Sequence, residues 1–392
     1  MLVQSYIAST EAPPVMEARR WIDGVTFSDD RPLINVSQAA PVDPPPLELR
    51  QVMADFTLHE DDTHLYGPVL GLPELRSELA ANWSAHYGGD ISENHVAITS
   101  GCNQAFVATM MTLAAQGDEV ILPTPWYFNH KMWLDMVGVK TVPLYTGDDL
   151  VPSAEAAAKL ITDKTRAIAL VTPNNPSGVE YPAEVMESFA QLCREKEITL
   201  IVDETYRDFD SRTGAPHDLL AMPDWQETIV QLYSFSKAYR LTGHRVGAMI
   251  ASPERLYQVE KFLDTVAICP NQLGQKAALW GLRNLGSWLA EQREEILARR
   301  AAIEAGFPKI AGKGWQLLGC GAYFAYVAHP FAMNSADLAK TLVKESALLA
   351  LPGTMFMPES SSEAGSQMRI AYANIDANGI DEMFNRLSEL SL

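Results

Sequence analysis

The sequence predicts an α/β protein with a large domain, built on a mostly parallel sheet flanked by helices, and a smaller α+β domain. Short apolar segments alternate with helical segments between residues 70 and 250, as is typical of a parallel sheet covered on both faces. A long helical stretch follows residue 270, and short strands and helices are mixed beyond it. Apolar residues make up 47% of the 392 residues, which is ample for a buried core.

The apolar periodicity and the turn residues place the individual elements. In the large domain we predict helices over 75–87, 103–116 and 182–196, and strands over 95–99, 119–122, 166–172, 198–202, 228–233 and 245–251. Further on we predict helices over 272–305 (interrupted near 281–286), 336–345 and 376–392, strands over 321–327, 348–351 and 368–372, and a loop over 360–366.

Three parts follow from this pattern. Residues 1–45 are rich in proline and poor in regular pattern, so they are predicted to form an N-terminal arm that joins the small domain. Residues 46–275 form the predicted large domain, and residues 276–392 form the predicted small C-terminal domain.

The charge balance and the cysteines limit the class of protein. Thirty basic against 49 acidic residues give a net charge of −19, which repels nucleic acids and anionic membranes at long range. No apolar run approaches the ~20 residues of a membrane span, and we expect no signal peptide. Four cysteines far apart in sequence form no metal-like or redox-like pair, and they fit a reducing, cytoplasmic compartment.

The segment from Ser234 to Arg245 carries the strongest chemical signal. Lys237 directly follows a predicted apolar strand and lies in a turn rich in serine and glycine. Burial there would lower the pKa of the lysine and free its neutral amine to act as a nucleophile. The hydroxyls of Ser234 and Ser236 and the guanidinium of Arg245 are groups that gather around a phosphate. A solvent-exposed lysine at a strand end is the plain alternative.

The spacing Ser-x-Ser-Lys followed by Gly-x-Arg resembles the lysine signature of pyridoxal-phosphate (PLP) enzymes of fold type I. The resemblance is to the class I/II aminotransferases related to aspartate aminotransferase, and it extends over about residues 30 to 375. It implies that Lys237 forms a Schiff base with PLP. It also implies that Ser234, Ser236 and Arg245 hold the phosphate.

Two turns at predicted strand ends resemble the parts of that family that contact the pyridine ring. A buried carboxylate beside the ring nitrogen keeps this nitrogen protonated, and a protonated ring is the better electron sink. The resemblance gives this role to Asp203 in the turn Asp-Glu-Thr-Tyr. It implies that Tyr206 and Asn175, the latter in an Asn-Pro-Ser-Gly turn, donate to the phenolic oxygen of the ring. Taken alone, each segment is an ordinary turn.

A strand-to-helix turn and an aromatic pair complete the predicted cofactor site. A helix N-terminus offers backbone N–H groups and a positive dipole end to an anion, and a glycine there permits close approach. By resemblance, Gly101, Cys102 and Asn103 cradle the phosphate, although an ordinary helix cap has the same sequence features. The resemblance also places Tyr127 on the face of the ring, with Trp126 as the neighbouring candidate.

The remaining motifs concern the substrate and the assembly. The strand Gln-Met-Arg-Ile-Ala-Tyr resembles the family segment whose arginine clamps the substrate α-carboxylate, here Arg369, with Asn175 nearby. The backbone N–H at Ala39, where the family usually has glycine, would touch the same carboxylate. Tyr66 matches the tyrosine that reaches the phosphate of the partner subunit, and the resemblance therefore implies a homodimer with shared sites.

The resemblance implies an enzyme that moves an amino group from an amino acid to a 2-oxo acid. Another PLP chemistry on the same fold, such as that of a carbon–sulfur β-lyase, stays open. A catalytically silent binding protein is a third possibility, against which the presence of Lys237, Asp203 and Arg369 argues.

The amino donor is predicted from the residues that could meet its side chain. In aspartate aminotransferases, an arginine from the partner subunit binds the distal carboxylate. The corresponding stretch 261–267 has Lys261 and no arginine. Aromatic residues in the probable pocket segments can form apolar walls or core; these are Trp126, Tyr127, Phe128, Trp133 and Phe356. We therefore expect a neutral donor, aromatic or aliphatic.

Overall fold

The computed structural model describes residues 5–391. Residues 1–4 of the predicted arm and Leu392 of the last predicted helix lie outside this range. The described chain is an α/β structure with a seven-stranded, mostly parallel sheet flanked by helices and a smaller four-stranded antiparallel sheet. The predicted fold class is therefore confirmed.

The strands between residues 5 and 391 follow in chain order. They are β1 (Ile34–Asn35), β2 (Val96–Thr99), β3 (Glu119–Thr124), β4 (Lys140–Tyr145), β5 (Thr165–Val171), β6 (Thr199–Asp203), β7 (Ile229–Ser234), β8 (Gly247–Ile250), β9 (Gln316–Gly321), β10 (Phe324–Ala328), β11 (Leu348–Leu349), β12 (Leu351–Pro352) and β13 (Gln367–Ile370).

The α-helices of the same range are α1 (Tyr6–Ser9), α2 (Pro14–Arg20), α3 (Leu47–His59), α4 (Pro73–Tyr87), α5 (Cys102–Met111), α6 (Phe128–Val137), α7 (Ala154–Ala158), α8 (Ala183–Glu195), α9 (Trp225–Thr228), α10 (Phe235–Ala238), α11 (Pro253–Ala267), α12 (Gln272–Asn284), α13 (Gly286–Gly306), α14 (Pro308–Ala311), α15 (Ser335–Ser346) and α16 (Ala377–Glu389).

The large sheet has the strand order β2-β8-β7-β6-β5-β3-β4, and β8 runs antiparallel to both of its neighbours. Gly247, the first residue of β8, pairs with Thr99 on one side and with Ser234 on the other. Asp203 ends β6 and pairs with Leu232 of β7. Because parallel strands end at the same edge of a sheet, this register brings Thr99, Asp203 and Ser234 to one edge.

The two faces of this sheet carry separate apolar cores. In β5, Ile168 and Leu170 belong to a core that includes residues of α4 and α8. Ala167 and Ala169 alternate with them and belong to a second core that includes residues of α5 and α11. Each isoleucine or leucine so removed from water contributes about 1.5–3 kcal/mol, and the sheet is thus covered on both faces, as predicted.

The N-terminal segment is tied to the C-terminal third of the chain. Ile34 in β1 pairs with Leu348 in β11, and the backbone N–H of Ala371 donates to the carbonyl of Val36 at 2.9 Å. The helices α13, α15 and α16 contribute to the same apolar core as the antiparallel sheet. A domain boundary at residue 275 would fall within α12, and the three-part organisation stays a prediction.

Several predicted elements differ from those observed. Helix α5 ends at Met111 rather than at residue 116, because the next residues form tighter turns: the N–H groups of Thr112 and Leu113 donate three residues back. The predicted strand 321–327 is part of a hairpin of β9 and β10 that turns at Ala322, which has a φ of 43°.

The longer elements that were not predicted include β4, α3, α6 and α11, and shorter ones such as β1, α2 and α7 were missed as well. Pro143 weakened the strand signal of β4, but this strand lies at the edge of the sheet, where a missing N–H needs no partner. No helix between residues 5 and 391 combines the length and apolar composition that a membrane span requires.

Candidate active site

Most of the predicted site residues line one cavity of about 500 Å³ at the edge where the strands of the large sheet end. Those that line it are Ala39, Cys102, Asn103, Tyr127, Asn175, Asp203, Tyr206, Ser234, Ser236, Lys237, Arg245 and Arg369. Segments from widely separated parts of the chain thus converge on one space. Gly101 lies directly behind this lining, and Tyr66 lies outside it.

Lys237 projects into the cavity from the short helix α10, which directly follows β7. Its Nζ donates to the carbonyl oxygen of Ala39 at 2.5 Å and lies 5.8 Å from the ring centre of Tyr206. Burial, and then the positive charges of Arg245 and Arg369, lower the pKa of Lys237 to about 8. The neutral, nucleophilic form of the amine is therefore accessible close to neutral pH.

Asp203 is buried at the end of β6, with hydrogen bonds to one carboxylate oxygen and a histidine close to the other. Its Oδ1 accepts from the backbone N–H of Thr205 at 3.0 Å and from the Thr205 hydroxyl at 2.7 Å. Nε2 of His130 lies 3.2 Å from Oδ2. Burial by itself raises the pKa of Asp203, but the contacts with His130 and Thr205 outweigh it and the pKa is lowered. The side chain is therefore an anion in a closed site.

His130 is a site residue that the sequence analysis missed. It lies on α6 and is buried, with its ring stacked on Phe106 at 3.8 Å between ring centres and edge-on to Tyr127 at 4.9 Å. A single histidine three residues after Tyr127 carries no pattern of its own. Its contact with Asp203 becomes visible only in the folded chain, where α6 packs against α5 and β4.

Glu204, the residue after Asp203, points away from the cavity into a buried polar cluster. It accepts from the Tyr87 hydroxyl at 2.7 Å, and Nε2 of His217 lies 3.1 Å from its Oε1. Burial raises its pKa, but the charge and hydrogen bond of His217 reverse that effect, so the pKa is lowered. Of these two adjacent carboxylates, that of Asp203 therefore lines the cavity and that of Glu204 is bound within the protein core.

One end of the cavity is built from N–H groups, hydroxyls and a guanidinium. Gly101, with φ 89° and ψ 163°, immediately precedes α5, and an added Cβ there would lie 2.2 Å from Nη2 of Arg245. Nη1 of Arg245 donates to the Ser236 hydroxyl at 3.4 Å. The backbone N–H of Ser236 donates to the Ser234 hydroxyl at 3.3 Å. This donor set suits a bound oxyanion such as a phosphate.

Arg369 is a buried cation at the other side of the cavity. Its Nη1 donates to Oδ1 of Asn175 at 2.9 Å, and its Nη2 donates to the carbonyl oxygen of Ser37. Burial lowers the pKa of Arg369 to about 10. Within residues 5–391 no carboxylate pairs with it, and its Nε has no hydrogen-bond partner. Such a site is suited to an anionic ligand, because a buried charge is costly until it is paired.

Two tyrosines border the space between these ends. The Tyr127 hydroxyl donates to Oδ1 of Asn103 at 3.2 Å and accepts from the Asn129 side chain at 2.9 Å. Tyr206 is buried against Tyr323, with 5.3 Å between ring centres. Both rings face the cavity that also exposes Lys237.

Three aromatic residues considered as pocket walls lie elsewhere. Trp126 and Trp133 pack with the core on the α5 face of the sheet, and Phe356 is fully buried behind Phe128. None of the three is among the cavity-lining residues within the described chain. Their side chains turn toward the apolar cores, while Phe128 remains on the wall.

The outer wall comes from a segment predicted to be an irregular arm. Helix α2 contributes Val15, Met16 and Arg19 to the cavity, and Pro13 directly precedes it. Pro14 at the first helical position was the available sequence signal, but the helix is too short to show a periodicity.

The cavity and the fold match known proteins. The family model "Aminotransferase class I and II" matches residues 31–387. Aspartate aminotransferase of Sulfolobus acidocaldarius is 26% identical over 336 residues, 83% of this chain and 82% of that protein. An aromatic amino acid aminotransferase of Cutibacterium acnes is 31% identical over 262 residues, 67% of this chain and 70% of that protein. The structure of aspartate aminotransferase from Thermus thermophilus with maleate superposes with a TM-score of 0.89 at 22% identity, over 99% of this chain and 100% of that chain.

These findings define an enzyme class whose members carry amino groups on PLP. Since the family model covers nearly the whole described chain, the protein belongs to the class I and II aminotransferases. The resemblance found in the sequence is therefore confirmed, as is the predicted cofactor.

The residues of the cavity fit this cofactor. The oxyanion cradle at Gly101, Ser236 and Arg245 suits its phosphate, and the carboxylate of Asp203, whose pKa is lowered, suits a protonated ring nitrogen. Lys237 lies in the same cavity with a lowered pKa. A lowered pKa favours the neutral amine, which is the form that can attack the aldehyde of the cofactor.

Proposed function

We propose that the protein transfers the amino group of a neutral L-amino acid, aromatic or aliphatic, to a 2-oxo acid, with PLP bound to Lys237. The observation that carries this proposal is the position of Lys237, a lysine of lowered pKa in one cavity with Asp203 and Arg369. These three side chains are the amine, the ring partner and the carboxylate clamp that the reaction needs.

Lys237 is proposed as the acid–base residue. Bound PLP supplies an electron sink that stabilises negative charge at the substrate Cα. The Nζ of Lys237 would remove the proton from the substrate Cα. A pKa near 8 suits this base, because it is neutral often enough to accept the proton and basic enough to hold it.

Asp203 is proposed to hold a proton at the ring nitrogen. His130 and Thr205 fix its two carboxylate oxygens, so the anion is oriented before the cofactor binds. Tyr206 and Asn175 line the same cavity and are proposed to donate to the phenolic oxygen of the ring. Asn175 can do so through its amide nitrogen while its Oδ1 accepts from Arg369.

Arg369 is proposed to bind the substrate α-carboxylate. Its planar guanidinium forms two parallel hydrogen bonds with a carboxylate, and the unpaired Nε is one available donor. Asn175 and the backbone carbonyl of Ser37 hold the guanidinium in position. Ala39, whose carbonyl already accepts from Lys237, lies beside it and is the proposed backbone contact of the carboxylate.

The preference for a neutral amino donor is supported by the wall of the cavity. Phe128, Val15 and Met16 offer apolar surface to a side chain. Lys261, at the position that corresponds to the partner-derived arginine, is hydrogen-bonded to Gln258 and lacks the planar, bidentate geometry of a guanidinium. An aromatic or aliphatic side chain gains binding free energy by packing on this wall. A second carboxylate placed against the same apolar surface would lose binding free energy, because it would give up its hydration.

The test has two measurements. Phenylalanine, leucine, methionine and aspartate are each added to the PLP enzyme alone, and the pyridoxamine phosphate formed is measured. The kcat/KM of each donor is then measured in the complete reaction with one common acceptor. We expect pyridoxamine phosphate from all active donors and a higher kcat/KM for the neutral ones. Pyruvate with ammonia instead would indicate lyase chemistry. A clear preference for aspartate would contradict the proposed donor class.

Lys237→Ala is the matched control for the site. It should leave the cofactor bound without a covalent link, and borohydride reduction should place the label on Lys237 in the wild-type protein only. Label on another lysine would contradict the assignment.

We also propose a homodimer in which Tyr66 reaches the phosphate of the partner. Tyr66 is 80% exposed, and Leu65 is 63% exposed. The exposed Val266 and Ile268 lie close by, because Gly67 N–H donates to Sγ of Cys269 at 3.4 Å. These side chains form an apolar patch suited to a second copy of the chain.

The test mixes two inactive variants. If Tyr66 acts across the interface, a hybrid of Tyr66→Ala and Lys237→Ala chains contains one complete site. Random re-association of equal amounts should therefore restore activity to about a quarter of the wild-type level. Absence of any recovery, with hybrids verified by mass, would contradict a shared site.

A cytoplasmic location is proposed for the protein. Its four cysteines, Cys102, Cys193, Cys269 and Cys320, are all free thiols, which suits a reducing compartment. Cell fractionation tests this, and recovery of the protein outside the cytoplasm would contradict it.

A further inference from the structure

The cavity contains a cation that the proposed chemistry does not use. The cationic side chains on its lining are Arg19, Lys237, Arg245 and Arg369. The last three are proposed to serve the amine chemistry, the phosphate and the α-carboxylate. Arg19 comes from helix α2 on the outer wall.

Arg19 is held in the cavity by a neutral partner. Its Nη2 donates to Oε1 of Gln38 at 2.7 Å, and within residues 5–391 it forms no ion pair. Arg20, the next residue on the same helix, instead pairs with Glu17 at 2.8 Å and does not line the cavity. The charge of Arg19 is thus available to a ligand, whereas that of Arg20 is already matched.

The chain links Arg19 to the proposed α-carboxylate clamp. Gln38, which binds Arg19, directly follows Ser37, whose carbonyl accepts from Arg369. The two guanidinium groups therefore contact adjacent residues of one segment, and both face the same cavity. A small molecule with two carboxylates can pair one with each of two such cations.

An aminotransferase binds two substrates in turn at one site, and the wall next to Arg19 suits both. Val15 and Met16 give apolar surface for a neutral donor. Arg19 is exposed, and its long flexible side chain can turn to water while an apolar side chain is bound. When the second substrate enters, the same guanidinium can turn inward to a carboxylate.

We propose that Arg19 is a specificity-determining residue that binds the distal carboxylate of a dicarboxylic 2-oxo acid, the amino acceptor. This inference rests on the proposed function, because it assumes that the α-carboxylate lies on Arg369. It assigns the two substrates to different parts of one wall: the neutral donor to Val15 and Met16, and the acidic acceptor to Arg19.

The experiment compares Arg19→Met with the matched control Arg20→Met in the PLP enzyme. kcat/KM is measured for 2-oxoglutarate and for pyruvate with one neutral donor, and the ratio of the two values is the readout. One charge-assisted contact is worth about tenfold in binding, so Arg19→Met should lower the ratio of 2-oxoglutarate to pyruvate about tenfold. The change should appear mainly in KM. Arg20→Met should leave the ratio as in the wild type, and Arg19→Lys should restore it in part.

A binding measurement separates charge recognition from turnover. Glutarate and pentanoate differ only in the distal carboxylate, and their inhibition constants report its contribution. Arg19→Met should weaken glutarate about tenfold more than pentanoate. An equal loss for both acceptors, an unchanged ratio, or a wild-type enzyme that does not accept 2-oxoglutarate would overturn the proposal. Failure of the proposed function looks different, since no amino acid would then yield pyridoxamine phosphate in the wild type.

Discussion

Replacing Gly101 by alanine tests the oxyanion cradle most directly. The Gly101 backbone, at φ 89° and ψ 163°, lies in a region that is open essentially to glycine alone, so any Cβ costs about 1–3 kcal/mol of stability. The added Cβ would also lie 2.2 Å from Nη2 and 3.0 Å from Cζ of Arg245. Ordinary carbon contacts are about 3.5 Å or longer, so the guanidinium must move by about 1 Å.

The displaced Arg245 is the proposed phosphate ligand, which gives the expected size of the effect on cofactor binding. A hydrogen bond to a charged group contributes about 1.5–3 kcal/mol. Loss of that contact should weaken PLP binding by the apoenzyme by about tenfold to a hundredfold. Titration of the apoenzyme with PLP, followed by absorbance, measures the dissociation constant, and thermal unfolding of the apo form measures the strain separately.

Gly243→Ala is the matched control for this substitution. Gly243 lies two residues before Arg245 in the Gly-x-Arg motif. No atom lies within 4 Å of a Cβ added at Gly243, and its φ is not in the left-handed region. We expect its PLP affinity to equal that of the wild type. If Gly101→Ala binds PLP as tightly as Gly243→Ala, the phosphate does not lie against Gly101 and Arg245, and the reasoning is refuted.

Three further predictions concern the proposed catalytic groups. Asp203→Asn should keep PLP bound but lower kcat about a hundredfold to a thousandfold, since an amide cannot hold the ring proton; near-normal turnover of the loaded enzyme would count against this role. The rate at which the apoenzyme captures PLP should rise with pH through about 8, because deprotonation of Lys237 produces the neutral amine; a midpoint near the ordinary lysine value of 10.5 would contradict the lowered pKa. His130→Phe should preserve the stacking on Phe106 yet raise the pKa at which kcat falls in acid, because Asp203 loses its neighbour, and an unchanged acid limb would show that Thr205 alone keeps the carboxylate ionised.

The sequence predicted the parts of the site that depend on local pattern. Lys237, Asp203 and Gly101 each lie where a strand ends, and strand ends can be located from apolar runs and turn residues. The register of the sheet then brings such ends to one edge, so their convergence follows from the fold class. The roles of these residues nevertheless came from the resemblance, because a turn has the same sequence whether or not it binds a ligand.

The features that were missed depend on packing between distant segments. His130 is part of the site because α6 packs against α5 and β4, and Arg19 is part of it because helix α2 borders the cavity. Trp126 and Trp133 were considered as walls because they are large and close to Tyr127 in sequence. Their side chains pack in the core, and a single sequence does not reveal whether a residue beside or on a short helix faces the core or the cavity.

The charge of the whole chain and that of the site have opposite signs, and the fold reconciles them. A net charge of −19 opposes the approach of an anionic cofactor and of carboxylate substrates. Salt screens this repulsion beyond about 8–10 Å, whereas buried contacts are screened much less. Inside the cavity, Arg19, Lys237, Arg245 and Arg369 face Asp203, the one carboxylate that residues 5–391 contribute to the lining. Short-range pairing between these cations and an anionic ligand therefore outweighs the long-range repulsion from the acidic surface.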